Sequence, residues 1–452
     1  MDLYIEASTP TETGPIPTYT IDLDLPSRQR YVQLATDFGP KMRALVPLLD
    51  EVLEWLLPFK ALRLLFKYLA SILLRRVHSE EETEELRGMC DVTGVDMFVF
   101  VAVNVLLDSM LGCTSGAVLV EEDGPRPPTM MHFRTLDWGM DGLRNLLVTL
   151  EFVRSKSPEP KKVIARSITY AGFVGVLTGV RKDLSVSFNF RGVHRCSSAR
   201  LRYHQLLVLL GFRPSIASYL RKTMFPEDPS VTLATISSGL QKITSSPCYI
   251  ILCSGTQTDV IERDLVTSRI RSDDQFIVHT NHDETIPSVS VSSMDVIKPE
   301  ALYVVAALKE FMEDSKHRAV CFADRWAALK GLRENAISQV ENDSKPKENK
   351  ISMSIELLVE WVKTYPTMNE CSHFGCILDP STGTVKMLER EGFGDPEDVT
   401  DEDSEDDEDE NEDEDEDQDQ DRVEKENADE VVDERKGDDD EYVDESEGKD
   451  QD

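Results

Sequence analysis

Long apolar runs are missing from this 452-residue chain. No stretch of 18 uninterrupted apolar residues occurs, and the most apolar segment, Ala61 to Leu74, is broken by Arg63 and Lys67, so a transmembrane helix is excluded by length. A basic excess is missing too. The chain carries 49 Lys+Arg against 85 Asp+Glu, and a protein that neutralises phosphates needs the opposite balance, so nucleic acid is not an expected partner. Eight cysteines in a chain this long do not make a disulfide framework. Met1 to Ile16 has acids, Thr and Pro where a secretory signal needs a basic start and an apolar core. On that reading alone the expected compartment is the cytoplasm, with no anchor.

The acidic charge that is present is unevenly placed. About 27 of the 36 net negative charges lie after Thr400, and the first 400 residues have an ordinary globular balance. Acidic runs with few apolar residues bury too little surface to offset ordering entropy, so 396–452 is expected to be a disordered acidic tail, either simply solvated or able to bind a basic protein.

Upstream, the hydrophobic period changes along the chain. Tyr19 to Leu25 alternates like a half-buried strand, and helical patterns follow at Arg28 to Phe38, from Met42 to Val77 split by Pro58, at Glu80 to Cys90 and at Met97 to Met110. Leu65, Tyr68, Leu69 and Ile72 share a face with Arg63, Lys67, Arg75 and Arg76 off it. That pattern suits a core-facing helix with solvated arginines, or a helix in peripheral contact with a membrane surface. After Gly112 the pattern becomes short Val/Ile/Phe-rich strands: 118–120, 129–133, 146–153, 163–169, 174–178 and 184–190. Helices are expected at 203–210, 215–222 and 231–243, strands at 249–253 and 275–279, and a polar loop over 283–298. Helices at 300–313, 323–342 and 354–365 precede two closing strands, 372–378 and 384–388. Helices and antiparallel strands in separate runs predict an α+β layered domain.

Few chemical templates fit. There is no Gly-x-Ser-x-Gly elbow, no Walker-type loop and no Gly-x-Gly-x-x-Gly after a strand. His279 and His282 lack acidic or cysteine companions at zinc-site spacing, so neither a metal nor a cofactor is expected. Cys113, in Gly112-Cys113-Thr114-Ser115, falls where helices give way to strands. A thiol there can attack the preceding carbonyl, shift the acyl group from nitrogen to sulfur and cut the Gly112–Cys113 bond. The freed α-amine, with an ordinary pKa near 8, then sits beside its own thiol as a base. Read by itself, the same cysteine is more readily a small buried core residue.

Several segments in one order carry more. Arg87-Gly88-Met89-Cys90-Asp91, Asn104, Cys113-Thr114-Ser115 and Arg134-Thr135-Leu136-Asp137-Trp138 are followed by Phe173 to Gly179, Ser187-Phe188-Asn189-Phe190-Arg191, Thr280-Asn281-His282-Asp283, Ala323-Asp324-Arg325 and the closing hairpin. Together, over about residues 17 to 390, they resemble the acid ceramidase and N-acylethanolamine acid amidase family of cysteine N-terminal-nucleophile hydrolases. The resemblance implies an αββα sandwich of antiparallel sheets preceded by a mainly helical α-chain. It divides the chain into a helical 1–112, a catalytic 113–395 and the tail, with the first two held as a heterodimer cut from one precursor. It implies a lipid amide substrate, with ceramide first, N-acylethanolamines or N-acyl amino acids as alternatives, and an inactive scaffold working through its tail as the non-enzymatic one. Relatives in animals are secretory and lysosomal.

Carried over residue by residue, Cys113 is the nucleophile and its amine the base. Asp137 holds that amine, Arg134 orients the substrate amide, Asn281 supplies the oxyanion hole and Arg325 is the later arginine. An ordinary bridge between Arg134 and Asp137 is the plainer reading of that pair. Phe190 stands where the family often has a glutamate, Thr135 where it has an asparagine, and His282 where a tyrosine is common.

Overall fold

The computed structural model describes residues 14–56, 59–106, 112–122, 124–228, 230–284, 299–340 and 350–390, all within one contact unit, Met1–Glu402. The expected acidic tail and most of the 283–298 loop lie outside the described residues.

The N-terminal segment opens with strand β1 (Thr18–Asp22), a 3-10 turn (Ser27–Gln29) and helices α1 (Val32–Arg43), α2 (Leu45–Leu56), α3 (Lys60–Leu73), α4 (Glu80–Thr93) and α5 (Met97–Leu106). Local chemistry sets the ends of α4. The Ser79 hydroxyl accepts from the Glu82 backbone N–H, three glutamates occupy the positive first turn, and Gly94 closes the helix at φ 72°. Within α4, a Cβ on Gly88 would lie 2.0 Å from the Arg28 carbonyl oxygen, so only glycine lets the 3-10 turn rest there. Arg28 then forks onto Asp91 at 2.7 and 3.0 Å, which accounts for two residues of the Arg87–Asp91 segment.

Beyond residue 112 run β2 (Gly112–Val120), β3 (Thr129–Asp137), β4 (Leu147–Val153), β5 (Ala165–Tyr170), β6 (Thr178–Arg181) and β7 (Leu184–Phe190). Helices α6 (Ser198–Leu209), α7 (Ile216–Met224) and α8 (Leu233–Leu240) follow, then β8 (Cys248–Cys253), β9 (Thr258–Arg263), β10 (Ser268–Asp273) and β11 (Phe276–His279). Helices α9 (Pro299–Val340) and α10 (Ile355–Lys363) precede the hairpin β12 (Ser372–Asp379) and β13 (Thr384–Arg390).

These strands form two sheets, ordered β1-β4-β5-β6-β7-β8-β9-β10 and β11-β2-β3-β12-β13. Every pairing is antiparallel except β1 with β4, where Thr18 to Asp22 run parallel to Thr149 to Val153. The expected helical 1–112 segment therefore also supplies a strand to the larger sheet. The alternation of side chains builds the layers. Along β2, Val118 and Val120 join Phe133, Phe322, Leu358 and Trp361 in a core beneath α9 and α10, and Ala117 and Leu119 pack between the sheets against Met130 and Cys253. A second and larger core joins α1–α8 to the eight-stranded sheet through Phe100, Phe152, Phe173, Phe188 and Leu220. The result is helix–sheet–sheet–helix, the αββα arrangement expected from the resemblance.

Four expectations need correcting. The strand expected at 118–120 begins at Gly112, so Cys113 lies within it and not before it. Residues 174–177 form no strand: Asn104 on α5 donates to the Gly172 carbonyl and accepts from the Val174 N–H, diverting backbone groups a ladder would need. Helices expected at 300–313 and 323–342 are one continuous helix, α9, and β9 and β10 occupy a stretch left unassigned. The charged sequences Thr-Asp-Val-Ile-Glu-Arg and Ser-Arg-Ile-Arg-Ser-Asp hide that hairpin, because its polar groups pair across the two strands and at the sheet edge.

Candidate active site

Cys113 stands second on β2 and is completely buried. Its backbone N–H donates to Asn281 Oδ1 at 2.8 Å, so the nitrogen of the Gly112–Cys113 bond is already gripped. Its Sγ receives Arg134 Nη2 at 3.2 Å. Burial pushes the thiol above its usual range, the Arg134 guanidinium draws it back, Asp137 adds to the rise, and Arg318 opposes it.

Strand register explains why Arg134 and Asp137 do different work. In the β2–β3 ladder Ser115 faces Arg134 and Gly112 faces Asp137. Residues three apart on a strand point to opposite faces. Arg134 therefore shares the inter-sheet face with Cys113 and Ser115, donating to the carbonyls of Leu177 and Phe188 as well as to the thiol. Asp137 turns to the helix side, accepting from Arg318 Nη1 at 3.1 Å and from the Ser372 hydroxyl at 2.6 Å. The plainer reading of a bridge between Arg134 and Asp137 does not hold.

The segments quoted from the sequence converge here. Asn104 fixes the 172–174 turn, which leads to the Leu177 carbonyl that holds Arg134. The Asn189 amide group accepts from Ser115 Oγ and donates to the carbonyls of His279 and Thr280, locking β7 to β2 and β11. Asn281 Nδ2 donates to the Phe190 carbonyl at 2.8 Å, and Arg191 forks onto Asp283 at 2.8 and 2.6 Å. The Phe190 ring stands 6.4 Å from that of Phe311, an apolar pair where the family often has a carboxylate.

Of the five residues expected from the resemblance, the structure brings together Cys113, Arg134, Asp137 and Asn281. Arg325 is not among them. Its guanidinium reaches the carbonyls of Trp361 and Tyr365 at the end of α10, at 3.2 and 3.5 Å. The arginine at the cluster is Arg318, 1% exposed, which donates to Thr114 Oγ1 at 2.7 Å and to Asp137, and lies 3.4 Å from Asn281 Oδ1. Ser315, one turn earlier, was also missed: its hydroxyl accepts from the Asn281 N–H at 2.8 Å and meets Thr280 and His282. The signal existed as a stripe. Phe311, Ser315, Arg318 and Phe322 recur at helical spacing, but Arg325 lies on the same stripe, because seven residues fall only about 20° short of two turns. Periodicity alone does not choose between the two arginines.

Burial raises the Asp137 carboxyl to about 6, ahead of the opposing pull of Arg318 and Ser372. A carboxyl raised above its unfolded value near 3.9 stabilises the fold most below about pH 4, and that contribution disappears as pH rises through 6. Asp137→Asn removes the titration. We expect its stability relative to wild type to improve by about 2 kcal/mol between pH 4 and pH 7, measured by urea unfolding at both values. A pH-independent gap between the two proteins excludes a raised Asp137.

Three comparisons bear on this arrangement. Residues 14–77 match the family model described as the beta subunit of N-acylethanolamine-hydrolyzing acid amidase. Acid ceramidase of Heterocephalus glaber is 28% identical over 200 residues, 41% of this chain and 48% of that protein. Acid ceramidase of Pan troglodytes is 30% identical over the same shares. The chain thus spans about half the length of the curated relatives it matches. A Caenorhabditis elegans N-acylethanolamine-hydrolyzing acid amidase ortholog superposes with a TM-score of 0.41 and 20% identity, over 60% of this chain and 93% of that one.

Proposed function

Taking as premise that the chain belongs to the acid ceramidase and N-acylethanolamine acid amidase family, we propose that it is a self-processing cysteine amidase that hydrolyses fatty-acyl amides, with ceramide as the first substrate. One observation carries the reading: the Cys113 thiol lies against a buried guanidinium while its own backbone nitrogen is held by Asn281.

In the processing step, Cys113 Sγ adds to the Gly112 carbonyl carbon. The resulting oxyanion collapses, the C–N bond breaks, and the departing nitrogen takes a proton to become the Cys113 α-amine. Water then hydrolyses the thioester and leaves a Gly112 carboxylate. In the catalytic step the amine accepts the thiol proton, the thiolate attacks the substrate acyl carbon, and the same amine protonates the leaving nitrogen; water then hydrolyses the acyl thioester, releasing the fatty acid and restoring the thiol. Amide cleavage needs a protonated leaving group, so one group acting first as base and then as acid meets the demand. Arg134 offsets part of the cost of a sulfur anion in the buried interior once the amine has taken the thiol proton. Asn281 is the candidate oxyanion donor through its Nδ2 amide, the end that also donates to the Phe190 carbonyl, and not through the Oδ1 that accepts from Cys113 N–H. Asp137, through Arg318 and Thr114, holds the beginning of β2 where the new ammonium forms.

The surroundings favour a lipid. Phe190 and Phe311 give the site an apolar side, with Phe311 3.6 Å from where a Cβ on Gly112 would stand. No helix among the described residues is long and apolar enough to cross a membrane. Along α3, however, Phe59, Leu64, Leu65, Tyr68 and Leu73 are each more than half exposed, a face suited to rest on a lipid surface. The two chains after cleavage stay joined: Glu85 on α4 forks onto Arg221 on α7, both buried. A basic protein remains a candidate ligand of the acidic tail.

The family-model match favours N-acylethanolamines as the second reading. Turnover of palmitoyl-sphingosine, palmitoyl-ethanolamide and a palmitoyl amino acid by the processed protein separates the two. We expect the sphingosine amide to be cleaved fastest. A preference for the ethanolamide selects the second reading, and a processed protein that cleaves none of the three overturns both.

A further inference from the structure

Away from Cys113, three side chains of different chemistry meet where the loop after β7 passes the β9–β10 turn. His194, Cys196 and Asp264 present one nitrogen, one sulfur and one carboxylate oxygen, all within 4.8 Å of one another. Cys196 Sγ and His194 Nδ1 are 3.2 Å apart. His194 and Cys196 are two residues apart in the loop that follows β7. Asp264 is buried and held in place: its Oδ2 accepts the Arg195 N–H and its Oδ1 the Leu265 N–H, each at 2.8 Å, and its own N–H closes the turn onto the Thr267 carbonyl.

We propose that this cluster is a binding site for a divalent zinc-class cation, with solvent or a small anion completing the coordination. One imidazole, one thiolate and one carboxylate form a borderline-soft set, which suits zinc and discriminates against magnesium and calcium. Donor atoms within 4.8 Å of one another need draw in by about 1 Å at most to surround one ion at zinc-ligand distances of about 2.0–2.3 Å. The charges balance, because a thiolate and a carboxylate neutralise the ion. The buried Arg191 guanidinium, which lines the adjoining cavity, is already paired with Asp283 and stacked 5.5 Å over Tyr249. Beside the cluster a cavity of about 240 Å³, lined by Arg191, Arg195, Glu262, Asp264, Arg269 and Asp283, leaves room for the exchangeable ligand. The exposed Arg195 and Arg269 at its rim favour an anion in that position.

The position gives the ion something to do. The 191–197 loop leaves directly from Phe190, whose carbonyl holds the Asn281 amide. An ion on His194 and Cys196 fastens that loop to the β9–β10 turn and so steadies the strand end beside the catalytic cysteine. This site stands independently of the amidase reading.

The test uses the full chain, stripped of metal with a chelator and titrated with Co(II), whose thiolate charge-transfer band reports sulfur ligation directly. We expect one equivalent to produce that band with tetrahedral visible absorption, and Zn(II) to abolish it by displacement. Cys196→Ser should lose the band and His194→Gln should weaken Co(II) at least tenfold, whereas Cys113→Ala should keep both. Circular dichroism of each variant checks that it is folded, and Cys196→Ser is nearly isosteric in a half-exposed loop. A folded wild-type protein without the band, a band that survives in Cys196→Ser, or one lost in Cys113→Ala overturns the proposal.

Discussion

Cys113→Ala should yield a single uncut chain with no measurable acyl-amide hydrolysis, a loss of roughly 10⁴-fold or more. The side chain is fully buried between the sheets, so removing one sulfur leaves a small cavity and costs about 1 kcal/mol, too little to unfold the protein. What disappears is chemical: no atom remains to attack the Gly112 carbonyl or to hold an acyl group. Intact mass after incubation from pH 4 to pH 8 reads the cut, and palmitoyl-sphingosine hydrolysis reads the activity. Wild type should split between Gly112 and Cys113. An alanine variant that still splits there, or that still hydrolyses the amide, removes Cys113 from both roles. Cys113→Ser sharpens the result, since a hydroxyl can make the same attack through a much poorer nucleophile and should cut slowly.

The second large effect separates two arginines seven residues apart. Arg318→Leu strips Asp137 of its buried cation and leaves the carboxyl with Ser372 and a more distant Thr135. Breaking such a pair costs about 3–5 kcal/mol, and the loosened start of β2 should slow processing by on the order of 100-fold or more. Arg325→Leu gives up only hydrogen bonds to two carbonyls at the end of α10 and should cut at the wild-type rate, about 1 kcal/mol less stable. Arg318→Lys tests whether charge alone suffices: it should fold well yet recover only part of the rate, because a single ammonium cannot serve Thr114 and Asp137 in the fixed geometry of the guanidinium fork. The assignment is reversed by an Arg325→Leu chain that stays whole beside an Arg318→Leu chain that cuts normally.

These two arginines mark the limit of what the sequence alone could tell. Cys113, Arg134, Asp137 and Asn281 were named because the family resemblance carries each of them over inside a short motif that this sequence keeps in order. Arg318 escaped because a long helix offers the same face every seven residues, and only the packing of Phe322 under Phe133, ring centroids 4.5 Å apart, fixes its register. The layered α+β architecture was legible from the change of period at Gly112. The hairpin of β9 and β10 was not, because its charged residues satisfy one another across strands and give no apolar alternation. Residues 174–177 misled for the opposite reason: they are apolar, with two valines, yet a side chain 70 residues earlier claims the Val174 N–H.

The parallel pairing of β1 with β4 has a consequence if the Gly112–Cys113 bond is cut as proposed. Before the cut, Thr18 to Asp22 find Thr149 to Val153 as partners within one molecule, and unfolding is reversed at a rate independent of dilution. After it, the same ladder joins separate polypeptides, and the mature protein is a complex whose recovery from unfolding depends on two species meeting again. Processing on this architecture is then a one-way gate. The precursor can fold, fail and try again, but the cut protein keeps a native state that it can no longer readily regain alone, so its lifetime is governed by how slowly it opens and not by how stably it would refold.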